Sequence, residues 1–142
     1  MSKYHQTFET YLKKEGSRYT AQKKEIVDAI GKTKTHFEID SFLADMTVIN
    51  KRFSRATVYR TIKQLFEAGL IQKIRTKDGK VFYEQNFIKK HHDHMICNQC
   101  GQIIEIKDNK IETFVAEYCK HIEFEQDYRS LHIYGTCKNC KK

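Results

Sequence analysis

The sequence predicts an α+β chain of two small domains, and three observations carry that prediction. Apolar residues recur three and four apart through most of the first half, whereas short strand-like runs are frequent in the second. Charge divides along the same line: residues 1–88 hold 17 Lys/Arg against 10 Asp/Glu, a balance of +7, while residues 89–142 hold 9 against 8. The second half also concentrates its chemistry in one stretch, His91 to Cys100, which places three histidines, an aspartate and two cysteines in ten residues.

Each element follows from local pattern. Thr7 to Glu15 carries Phe8, Tyr11 and Leu12 at helical spacing, with Gly16 as a stop. Thr20 suits the N-cap of a second helix whose face is Ile26, Val27 and Ile30, ending near Gly31. Glu38 to Thr47 places Ile39, Phe42, Leu43 and Met46 at i, i+3, i+4 and i+7, a third amphipathic helix. Ser54 caps a fourth, running to Gly69, with Val58, Ile62, Leu65 and Phe66 on a packed face and Tyr59, Arg60 and Lys63 on another. Leu70 to Ile74 and Val81 to Glu84 read as strands around an Asp78-Gly79 turn. Helices followed by a basic-tipped hairpin describe a winged helix-turn-helix, here residues 1–86.

From residue 87 onward the expected elements are strands at His91–Cys97 and Gln102–Lys107, then a helix at Asn109–His121 with Ile111, Val115 and Tyr118 inward. Glu123 to Thr136 reads as one long strand or a hairpin. This α/β domain, residues 87–142, has a small core, so a structural metal and pairing with a second subunit both make physical sense.

Composition narrows the function classes. A formal net charge of +8 and a pI near 9.2 fit a polyanionic partner. No apolar run approaches the ~18 residues a membrane span requires. The polar opening Met-Ser-Lys-Tyr-His-Gln does not resemble a signal peptide, so a cytoplasmic, reducing compartment is expected. In that setting Cys97, Cys100, Cys137 and Cys140, two Cys-x-x-Cys pairs, read as a tetrahedral structural zinc site rather than as two redox pairs. On a strand, His92 and His94 share one face while His91 and Asp93 take the other. Imidazole beside carboxylate offers a second, more exchangeable ion a harder donor set. Tyr59, Arg60 and Lys63 alone would be an ordinary solvated helix face; the preceding helices, the basic wing and the charge balance turn them towards DNA. Cys119, unpaired on the expected helix, reads as a small buried side chain with no assigned role.

Four stretches taken together resemble the ferric uptake regulator family of bacterial metal-responsive repressors. They are Ala-Thr-Val-Tyr-Arg-Thr at 56–61, His-His-Asp-His-Met-Ile-Cys-Asn-Gln-Cys-Gly at 91–101, Ile-Ile-Glu at 103–105 and Ile-Tyr-Gly-Thr-Cys-Lys-Asn-Cys at 133–140. The resemblance covers nearly the whole chain. It implies a homodimer that binds double-stranded DNA at an AT-rich inverted repeat, with no enzymatic role. Tyr59 and Arg60 match the positions that meet bases and phosphates, flanked on the same helix by Arg55 and Lys63. Arg18 matches the basic residue that reaches the minor groove, where a narrow AT-rich groove attracts arginine. The proline that commonly follows the cap of the second helix is absent from Thr20-Ala-Gln-Lys23.

For metals, the resemblance puts a regulatory ion on His36, Glu84, His92, His94 and Glu105. Fe²⁺ is the expected occupant, and Mn²⁺, Co²⁺ or Zn²⁺ can substitute. Some family members hold a further ion, matching here to His91, Asp93, Glu112 and Arg129. Arginine cannot ligate a cation, so this third site is expected to be absent or altered. A peroxide sensor of the same family is the alternative reading. That branch typically carries aspartates at the positions of Glu84 and Glu105 and a non-arginine at that of Arg60, so iron sensing is favoured. No cysteine lies near Glu84, which ranks zinc sensing lower. A metalloenzyme and a plain zinc-stabilised interaction module are the rivals from other classes.

Overall fold

The structure, a computed structural model, describes residues 2–33, 35–49, 53–86, 93–126 and 129–141. The chain forms two compact units, residues 1–90 and 91–142.

The first unit begins with α1 (Ser2–Lys14) and α2 (Ala21–Gly31). Helix α1 starts earlier than its apolar spacing predicts, because Tyr4 extends the Phe8 and Leu12 stripe one turn back onto the same core. Thr20 caps α2 as expected, its side chain accepting from the Lys23 backbone N–H at 3.3 Å. Next come β1 (Phe37–Glu38), α3 (Ile39–Ile49), α4 (Arg55–Glu67), β2 (Ile71–Arg75) and β3 (Val81–Gln85). Sequence pattern misses β1, since two residues are too short to show a period. It pairs with β3, Phe37 opposite Tyr83, and turns the expected hairpin into a three-stranded antiparallel sheet of order β1-β3-β2.

The core of this unit collects Phe8 and Leu12 from α1, Ile26, Val27 and Ile30 from α2, and Phe42, Leu43 and Met46 from α3. Val58, Ile62 and Leu65 of α4 close it. Phe66 departs from expectation: it is 44 % exposed, and Thr61 is buried in the packed stripe instead. The stripe runs 58, 61, 62, 65, and the Thr61 hydroxyl is satisfied by donating to the Thr57 carbonyl at 2.7 Å. Helix α4 stops in a Schellman turn, where Leu70 N–H donates to Leu65 O and Gly69 N–H to Phe66 O, both at 3.0 Å. Gly69 sits there at φ +74°, a conformation that costs glycine nothing.

The second unit contains β4 (Asp93–Cys97), β5 (Ile103–Ile106), α5 (Asn109–His121) and β6 (His132–Gly135). Its sheet has the order β5-β4-β6, with β5 antiparallel and β6 parallel to β4. Among the described residues, the long strand or hairpin expected over Glu123 to Thr136 is corrected to one short strand, β6. The cause is the end of α5: Phe124 N–H donates to Cys119 O at 2.8 Å and Glu123 takes φ +56°, so the chain turns away instead of extending. Tyr118, expected inward, is 57 % exposed and stacks on Phe114, with ring centroids 6.5 Å apart. Helix α5 is amphipathic, yet none of its residues is buried. No helix among the described residues is long and apolar enough to cross a membrane.

Candidate metal centres and nucleic-acid interface

The cysteine site is built by strand pairing. Parallel register sets Cys97 of β4 opposite Gly135 of β6, and Asn98 N–H donates to Gly135 O at 2.8 Å. The tight turns that follow each strand, Cys97 to Cys100 and Cys137 to Cys140, are thereby brought side by side. All four sulfurs lie within 4.8 Å of one another, the one such donor group among the described residues. Cys100 Sγ stands 3.8 Å from Cys137 Sγ, across the two turns. Two thiolates on a tetrahedral zinc with Zn–S of ~2.3 Å are separated by roughly the same distance. Backbone N–H groups of Cys100 and Cys137 bring the Cys97 thiol down to about 6, favouring the thiolate a metal binds. Cys140 is pushed up to about 12 by hydrogen bonding with the neighbouring sulfurs of Cys137 and Cys100, the crowding a cation would relieve. Convergence of all four on one point fits a single thiolate-bound ion and not two separate redox pairs.

The five residues expected at the regulatory ion divide between the units. His36 and Glu84 belong to the first; His94 and Glu105 belong to the second; His92 lies outside the described residues. The His36 ring meets Phe82 edge-on at 5.1 Å. Glu84, on β3, is 7 % exposed and accepts from Gln72 Nε2 at 3.3 Å. His94 is 2 % exposed and stands opposite Glu105 of β5 on one side and His132 of β6 on the other. Directly opposed residues share a sheet face, so three metal-competent side chains line one rung. The His94 and His132 ring centroids are 5.9 Å apart. The parallel pairing that aligns His132 with His94 has no local signature in the sequence.

At the third expected set, Arg129 grips Asp93. Its Nε donates to Oδ1 at 3.3 Å and Oδ2 at 3.2 Å, and Nη2 donates to Oδ2 at 2.9 Å. The pair is largely buried, with side-chain exposures of 16 % and 4 %. Glu112 is exposed in the first turn of α5, and His91 lies outside the described residues. Both oxygens of the Asp93 carboxylate are thus engaged by a guanidinium.

In the first unit, Ser54 caps α4 by accepting from Thr57 N–H at 3.1 Å. The helix exposes Arg55, Tyr59, Arg60 and Lys63 together. Arg18 is exposed on the loop before α2. That loop is tied down by a buried lysine, Lys23, whose Nζ donates to Ser17 Oγ at 2.8 Å and to the Arg18 carbonyl at 2.9 Å. Desolvation, then the nearby Arg60 charge, lowers the Lys23 pKa. Gln64 Nε2 of α4 reaches the same Ser17 hydroxyl at 3.4 Å, linking the Arg18 loop to that helix. Thr20 capping and this lysine hold the start of α2 without the missing proline.

A winged helix in one unit and a four-thiolate metal knuckle in the other define a metalloregulatory DNA-binding protein. The model of the ferric uptake regulator family matches residues 14–134. The chain belongs to that family, and so to the metal-dependent transcription regulators. Among its relatives is the ferric uptake regulation protein of Bordetella parapertussis, 31 % identical over 132 residues, covering 92 % of this chain and 94 % of the relative. The Campylobacter jejuni protein of the same name is 32 % identical over 136 residues, covering 94 % and 85 %. Among solved structures, the Helicobacter pylori ferric uptake regulator, described with three functional metal-binding sites, superposes with a TM-score of 0.75 at 27 % identity. It covers 99 % of this chain and 93 % of that one. The Pseudomonas aeruginosa regulator with manganese gives 0.76 at 26 % identity, covering 91 % and 96 %.

Proposed function

We propose that this chain is a cytoplasmic, homodimeric repressor of iron-uptake genes that binds an AT-rich inverted repeat when Fe²⁺ is available. The partition of donors supports this most directly. Four of the five cysteines sit in one knuckle of the second unit, whereas the imidazoles and carboxylates suited to an exchangeable ion divide as His36 and Glu84 against His94 and Glu105. Zinc on Cys97, Cys100, Cys137 and Cys140 is structural and supplies no chemistry beyond holding two turns together. Fe²⁺, or Mn²⁺, Co²⁺ or Zn²⁺ in its place, is taken by His36, Glu84, His92, His94 and Glu105.

An ion with ligands in both units selects the arrangement in which they converge. It favours DNA binding only as far as it binds that arrangement more tightly, and DNA must strengthen metal binding in return. Arg18, Arg55, Tyr59, Arg60 and Lys63 carry the DNA contacts, so affinity falls as salt rises. Dimerisation is supported by an uncovered row on the second sheet. Ile104, Met95 and Ile133 stand in register at 38 %, 43 % and 41 % exposure, as an apolar face awaiting a copy of itself would.

The test is fluorescence anisotropy of an AT-rich inverted-repeat duplex with zinc-loaded protein, titrating Fe²⁺ anaerobically and Mn²⁺ as a redox-stable surrogate, with His94→Ala alongside. Metal is expected to tighten binding in the unsubstituted protein alone. Tight binding without added metal would sink the regulatory assignment while leaving the DNA-binding one standing.

A further inference from the structure

The proposed DNA-reading face includes one carboxylate. Asp40, in the first turn of α3, presents a single oxygen, Oδ1, to two side chains of α4. The Tyr59 hydroxyl donates to it at 2.5 Å, and Arg55 Nη2 donates to it at 3.1 Å. The Arg55 guanidinium also lies over the Tyr59 ring, 5.6 Å from its centroid. Three side chains therefore close on one another across α3 and α4. For folding the ion pair counts little: Arg55 and Asp40 have side-chain exposures of 70 % and 60 %, and solvent screens such pairs. For binding a polyanion, a carboxylate beside Arg55 is unfavourable in itself, because it repels any phosphate that approaches that arginine.

We propose that Asp40 is the positioning residue of this face, engaging the Tyr59 hydroxyl so that Tyr59 meets the DNA with its ring. The inference rests on the DNA-binding reading above and adds to it how one side chain discriminates. A phenol has one O–H to donate, and here it is committed to a carboxylate in a short, charge-assisted bond. The ring is then the part of Tyr59 left to face the groove. Its apolar surface complements the thymine methyl, the apolar feature among base edges in the major groove. Arg55 keeps N–H donors for a phosphate while its charge lies 5.6 Å from the ring centroid. The Asp40 charge weakens loose phosphate binding in every register, so selectivity is gained by penalising the wrong complex as well as by favouring the right one.

The experiment uses the full chain, zinc-loaded and saturated with Mn²⁺. Anisotropy is read on an AT-rich inverted-repeat duplex, on the same duplex with deoxyuridine replacing thymine, and on a GC-rich duplex of equal length. Unsubstituted protein is compared with Asp40→Asn, Asp40→Ala, Tyr59→Phe and the double variant Asp40→Ala/Tyr59→Phe, with thermal melts recorded alongside. Removing the methyl groups is expected to weaken the unsubstituted protein several-fold. Asp40→Asn, which keeps an acceptor oxygen, retains that methyl preference while binding all three duplexes more tightly. Asp40→Ala and Tyr59→Phe each lose the preference, and the double variant is no worse than either, because all three delete the same bond. If Asp40→Ala keeps the methyl preference, or if the losses of the two single variants multiply, the hydroxyl acts on DNA directly and the proposal fails. Should Asp40→Ala melt early, Asp40→Asn and Tyr59→Phe decide the same question. If the unsubstituted protein binds no duplex at all, the DNA-binding reading falls and takes this inference with it.

Discussion

Both oxygens of Asp93 accept from Arg129, and the aspartate side chain is only 4 % exposed. Removing the arginine leaves a buried carboxylate without its charge partner, which typically costs about 3–5 kcal/mol. Arg129→Ala is accordingly expected to lower the urea midpoint of the zinc-loaded protein sharply, and Asp93→Asn combined with Arg129→Gln to recover much of the loss. Unchanged midpoints in Arg129→Ala would show the pair to be energetically idle. At this scale legibility depended on separation along the chain. The cysteines could be read from the sequence because Cys-x-x-Cys declares its geometry within four residues. Arg129 and Asp93 lie 36 positions apart, so sequence showed only that an arginine disqualified a metal site and not whose carboxylate it would take. Asp40 has no local signature for the same reason, being 19 residues from Tyr59 and on another helix.

The helices were largely legible because their ends are local chemistry. Thr20, Ser54 and Asp108 each accept a backbone N–H in the first turn of their helices. What pattern alone missed depends on neighbours: the partner strand that defines β1, the parallel partner of β6, and the outward turn of Phe66 and Tyr118. The end of α5 carries a measurable flaw. Glu123 holds the φ +56° position that α4 gives to Gly69, and a side chain there costs roughly 1 kcal/mol. Glu123→Gly is expected to stabilise the second unit by about that much in denaturant unfolding, and a loss of stability would show that the glutamate makes a compensating contact. In the first unit, Tyr11 of α1 donates to Glu67 of α4 at 2.8 Å. Burial first, then this carboxylate, raises the Tyr11 pKa from its ordinary 10.0 to about 12. The neutral phenol is the form the fold favours, so its contribution is whole below pH 10 and lost as pH climbs towards 12. Tyr11→Phe should flatten the alkaline limb of a stability-versus-pH curve in that window; an unaltered limb would place the titration elsewhere.

On the scale of the whole molecule, the two units rely on different sources of order. The first has a continuous core of helices and sheet, whereas the second leaves Phe114, Tyr118, Ile122 and Phe124 more than half exposed and depends on its four thiolates. Stripping zinc with a strong chelator under reducing conditions is expected to abolish the transition of the second unit and leave that of the first, as followed by circular dichroism. A single transition persisting unchanged would contradict the structural role of the metal. Elemental analysis of saturated protein should find one tightly held zinc and one exchangeable ion per protomer, and a third ion would mean that Arg129 yields its place. The division into a basic helical half and a thiolate-rich half was legible from charge and cysteine spacing. The division of His36 and Glu84 from His94 and Glu105 follows from the same boundary, whereas the rung that sets His132 beside His94 rests on a parallel strand pairing with no local signature. Arg129 also bears on how such a sensor meets a contaminated supply. Its positive charge is made with the polypeptide, so it is never scarce, never exchanged and never confused with a rival element. Cobalt, cadmium or excess zinc that competes at the histidines meets at Asp93 a carboxylate that already accepts from a guanidinium.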